Sequence, residues 1–126
     1  MNYTSVSVCG NDHSEWVRAL DFYKDDIRTL EKRLLEMTAK NNGHEAMAGV
    51  EHFQNQFIVQ RNNIDELRHS VNEHAGQVAV EALAHAGRME DRHSVEHNNL
   101  KEQFGAFEKV FNELRHEFNA FLTRWM

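Results

Sequence analysis

The run LKEQFGAFEKVFNELRHEFNAFLTRW, residues 100–125, decides the fold. Its Leu100, Phe104, Phe107, Phe111, Leu114, Phe118, Phe121 and Trp125 recur at alternating spacings of four and three. On an α-helix such positions line one stripe, whereas the period of two in a strand would split them between two faces. Five phenylalanines on one stripe demand a covering surface, because that much exposed aromatic area would aggregate.

Two further seams supply the cover. Trp16, Leu20, Tyr23, Ile27, Leu30, Leu34 and Met37 form one, and Val50, Phe53, Phe57, Gln60, Ile64, Leu67 and Val71 form the other. Gln60 is the one polar member of its seam and can fix register at some cost in stability. Asn41-Asn42-Gly43 between them offers left-handed residues to end a helix. Gly76 and Gly87 bracket QVAVEALAHA, residues 77–86, which either continues the second helix or forms a short fourth one. The pattern predicts an all-α fold, an elongated antiparallel three-helix bundle with coiled-coil-like heptad packing. Asp12 followed by Glu15 has the form of a capping box, so residues 1–11 are expected to be an extended or disordered tail and residues 12–126 a single domain.

Composition narrows the function. Among 126 residues, 14 Lys+Arg against 20 Asp+Glu give a net charge of -6, which argues against nucleic acid as a partner. No apolar run approaches the roughly 18–20 residues of a membrane span, and the N-terminus lacks a signal-peptide pattern. A lone cysteine, Cys9, excludes an internal disulfide framework and points to a reducing, cytoplasmic setting. It is expected as a free surface thiol. No phosphate loop, nucleophile elbow or HExxH string occurs, so neither an enzyme nor a small-molecule substrate is expected. Lys24, Arg28 and Lys32 interleave with Asp21, Asp25, Asp26 and Glu31, a solvated ion-pairing face. Phe22, Ile58 and Val59 fall off the seams, where they either widen the buried faces or offer a homodimer or partner-helix surface.

The nine histidines carry the remaining signal. Extended backwards, the third seam reaches His97, His93 and Glu90; extended forwards, the second reaches His74, Val78, Glu81 and His85; one step before Trp16 lies His13. In an antiparallel bundle these positions meet at one end, while Met37, Met47, Val50, Phe121, Trp125 and Met126 form an apolar plug at the other. His93 and His97 stand at i and i+4, a spacing that holds one metal ion, with His74 and His13 next and His85 last as ligands. Glu90, Glu73, Glu96 or Asp91 would serve as carboxylate ligands or as acceptors behind the imidazoles. Such a set suits Zn, Ni, Cu, Co or Fe. The competing reading is plain packing, with neutral imidazoles bonded to each other or to water. In either case the inward histidines are desolvated, which predicts folded pKa values below the usual 6.5 and stability lost as pH falls.

Glu-x-x-His occurs at Glu66/His69, Glu90/His93 and Glu113/His116, as in di-iron bundles, but two of the three pairs fall on the outward face. A di-iron-type enzyme is therefore the third reading. The first is a non-enzymatic soluble metal-binding bundle; the second is a structural or adaptor module that pairs with itself or a partner helix.

The strings EHFQNQFIVQRNNIDELRHSV (51–71) and FNAFLTRWM (118–126) resemble small helical-bundle proteins of the Bacteroidota, over most of the chain from His13 onward. That resemblance implies a cytosolic bacterial setting, with no activity and no site residue attached.

Overall fold

A computed structural model describes the backbone of residues 6–84 and 91–126 and the side chains of residues 8–83 and 92–126. Three helices account for it: α1 (Val6–Lys40), α2 (His44–Ala84) and α3 (Asp91–Trp125). No strand occurs among the described residues. The helices have 35, 41 and 35 residues, hence lengths of about 50–60 Å. With no proline anywhere in the chain, nothing removes a donor from the hydrogen-bond ladder.

The helices pack against one another along their seams. Buried side chains on α1 run Cys9, His13, Trp16, Leu20, Tyr23, Ile27, Leu30, Leu34 and Met37, alternating steps of four and three. Phe57, Phe111 and Phe118 are fully buried, and the Phe57 and Phe118 rings meet edge to face at 5.1 Å. Each such side chain contributes about 1.5–3 kcal/mol through its removal from water. Gly49 makes room for a ring: a Cβ there would collide with Phe121 Cε1.

Several expectations are corrected. Helix α1 is already formed at Val6, so residues 6–11 are helical rather than an extended tail. The reason is Cys9, which stands four residues before His13, continues the seam and packs with Val78. Cys9 is therefore buried, not a surface thiol. Residues 77–84 continue α2 instead of forming a fourth helix, since Gly76 costs only about 1 kcal/mol relative to alanine and burial of Val78 offsets it. Gly43 does not take the left-handed backbone; its carbonyl accepts the first bond of α2, from Met47 N–H, and its own N–H donates to Asn41 Oδ1. The apolar plug is smaller than expected. Met37 and Val50 are buried and Phe121 and Trp125 half-buried, but Met47 lies one position off its seam and is exposed, as is the chain-ending Met126.

Most ion pairs among the described residues tie one helix to another. Arg68 meets Asp21, Lys24 meets Asp65, and Arg61 meets Glu31 between α1 and α2. Arg115 reaches Asp26 and Tyr23 donates to Glu108 between α1 and α3. Arg124 meets Glu45 between α2 and α3. Of the expected pairs within α1, Arg28–Asp25 is present. Phe22, Ile58 and Val59 are exposed and do not widen the buried faces. No described helix is long and apolar enough to cross a membrane.

Candidate metal centre

The seams deliver one imidazole from each helix to a common point. His13 on α1, His74 on α2 and His97 on α3 are all buried, and one ring nitrogen from each lies within 4.8 Å of the others. His13 Nε2 is 3.0 Å from His74 Nδ1 and 3.3 Å from His97 Nδ1. A tetrahedral zinc site with Zn–N bonds of 2.0–2.1 Å has N···N edges of about 3.3–3.4 Å, so the two edges at His13 already stand near coordination spacing.

The outer nitrogens fix which inner ones carry lone pairs. His74 Nε2 lies 3.2 Å from the His93 carbonyl oxygen, which only accepts, so this nitrogen holds the proton and Nδ1 does not. His97 Nε2 donates to Asp12 Oδ2 at 2.7 Å, which leaves its Nδ1 as an acceptor too. His13 Nε2–H is then the single proton shared between two acceptors. If it moves to Nδ1 of the same ring, three lone pairs face one point. Ligating histidines characteristically donate their other N–H to a carbonyl or carboxylate, as His74 and His97 do here.

Burial disfavours the charged form of two of these rings, His13 and His74. His13 is pushed down from the usual 6.5 to about 4, first by burial, then by His74 and His97, with Asp12 opposing. His74 is lowered as well, chiefly by burial, against the His93 carbonyl and Glu96. Trp16 closes the core side, stacked on His97 at 4.9 Å and 6.0 Å from Phe104. Cys9 belongs to no ligand group among the described residues, and burial with Asp12 pushes its thiol up to about 11, so it is a poor nucleophile at neutral pH.

His93 is placed differently from the sequence expectation. It does not share a group with His97, one turn along; it lies with His74 and Glu96 in a second group. It is only 3% exposed, yet neither ring nitrogen has a hydrogen-bond partner, an arrangement that costs about 1–3 kcal/mol. His85, Glu90 and the Asp91 side chain lie outside the described residues. Glu73 is exposed and sits 3.5 Å from His69. Glu66, His69, Glu113 and His116 all face solvent. Sequence reasoning missed Asp12, read as a cap; once Cys9 draws the helix back to Val6, Asp12 is interior and free to serve His97.

A scan against family models, a search of curated proteins and a search of solved structures each return no match for the chain.

Proposed function

We propose that this protein is a non-enzymatic metal-binding helical bundle whose transition-metal site is His13, His74 and His97. One observation carries the reading: ring nitrogens from three helices converge within 4.8 Å of one another, with the far nitrogens of two rings anchored by oxygen. Zn(II) fits this all-nitrogen set, and Ni, Cu, Co or Fe would be accepted by the same ligands. The reading includes an elongated antiparallel architecture with heptad packing. It is supported by the falling order of α2 partners (Asp21 with Arg68, Glu31 with Arg61) and the four-three spacing of buried side chains. The lone cysteine supports a reducing, cytoplasmic setting.

The test is elemental analysis of untagged protein purified without metal-affinity resin, beside His13→Asn/His97→Asn. Near-stoichiometric metal lost in the variant is expected. Metal at a hundredfold over Kd should stabilise by about 2.7 kcal/mol, a rise in Tm on the order of 10 °C for a chain of this size. No metal on isolation and none on titration would overturn the proposal.

The exposure of Phe22, Ile58 and Val59 favours a second reading, self-association through these side chains. Concentration-dependent assembly that ignores chelator, and is lost in Phe22→Ser/Ile58→Ser, would support it.

A further inference from the structure

His74 belongs to both ligand groups, and that sharing has a chemical meaning. Its Nδ1 faces His13 Nε2 at 3.0 Å in the first group. Its Nε2 lies 3.7 Å from Glu96 Oε2, and the same oxygen lies 3.5 Å from His93 Nδ1. Two nitrogens and a carboxylate oxygen thus converge on the far side of the His74 ring. We propose a second metal site formed by His74 Nε2, His93 Nδ1 and Glu96, with the His74 ring bridging two ions. This rests on the proposed function, because the bridge has meaning only if the first site is filled.

An independent observation points the same way. His93 is buried, and both its ring nitrogens lack a hydrogen-bond partner. A cation at Nδ1 satisfies one of them. The other, Nε2, faces Glu81 Oε2 at 3.8 Å, where a small closure would let the carboxylate accept its N–H. That places an oxygen behind this ligand too, matching His97 and Asp12. Access exists: a groove of about 630 Å³ reaches His93 and Glu96 and is lined also by Glu73, Glu81 and Arg92.

Binding is an exchange of a proton for a metal ion. The Nε2–H of His74 leaves to bulk water, its bond to the His93 carbonyl breaks, and Nε2, His93 Nδ1 and Glu96 Oε2 each donate an electron pair to the ion. Nothing is oxidised or reduced. Divalent Zn or Cu suits this mixed nitrogen–oxygen set.

The experiment titrates the metal-free full chain with Zn(II) and counts bound metal. Wild type should take two ions per chain and Glu96→Gln one. The Glu96 side chain is half exposed, so this variant should fold, and its retained first ion verifies that it has. Cu(II) titration followed by electron paramagnetic resonance tests the bridge. Spins coupled through one imidazolate should make the second equivalent diminish the signal of the first. A wild type that stops at one ion, a Glu96→Gln that still takes two, or a signal that doubles would overturn the inference and leave the first site standing. No bound metal at all would overturn both.

Discussion

At His13, burial sets a proton against the fold. The unfolded imidazole binds its proton near 6.5, while the folded one declines it until about 4. Between those values the unfolded state carries more protons, so stability falls as pH drops and is fully present above about 7. Each such histidine contributes a slope of about 1.4 kcal/mol per pH unit, and His74 is lowered in the same direction. Chemical unfolding of the metal-free protein should therefore show a plateau from pH 8 to 7 and a loss of about 1–3 kcal/mol by pH 5.5. An unchanged midpoint across that range would contradict the placement of these rings. Asp12 offers a second test at the same scale. Asp12→Ala leaves His97 Nε2–H without its acceptor, which should cost about 1–3 kcal/mol and lower metal affinity about 10–100-fold. A competition titration with a coloured chelator would read the second effect.

At the scale of the helix, the seams were legible because one period governs them from end to end. Trp16 to Met37, Val50 to Val71 and Leu100 to Phe118 all lie where the four-three spacing puts them, Gln60 included. The helix ends were not legible, because a cap is a local signal and burial is not. Asp12 and Glu15 look like a start, yet Cys9 finds Val78 across the bundle and the helix runs on. In the candidate site, the histidines were legible as inward positions, but their grouping depends on which ring meets which across helices. His93 and His97 share a face in sequence and fall into different ligand groups for that reason. Two substitutions probe packing within the helices. Gln60 Oε1 is buried without a partner, so Gln60→Met should stabilise by about 1–2 kcal/mol in thermal unfolding. Gly49→Ala should destabilise by about 1–2 kcal/mol, overpacking against Phe121 outweighing helix propensity. In a Phe121→Ala background the same change should stabilise by up to about 1 kcal/mol, a reversal that a double-mutant cycle would expose.

Across the whole molecule, polarity changes along the length of the helices. Fully buried Phe57, Phe111, Phe118 and Met37 lie beyond Trp16 on one side, and four buried histidines lie on the other. Trp16 is the boundary between them, stacked directly on His97, and it makes a natural reporter. With Trp125→Phe as background, Cu(II) or Co(II) should quench Trp16 emission in step with binding, and emission that ignores the metal would place the ion elsewhere. Because the cluster takes one ring from each of three helices, it also governs the order in which the molecule comes apart. Without metal, the described apolar burial beyond the imidazoles is the small Cys9–Val78 cluster, and the amides at this end should exchange with deuterium through small, frequent openings. An ion held by His13, His74 and His97 acts there as a clasp, since no one helix can leave without breaking a coordinate bond. The slowest-exchanging amides should then migrate from the phenylalanine layers toward the imidazoles, and the first place to open would become among the last.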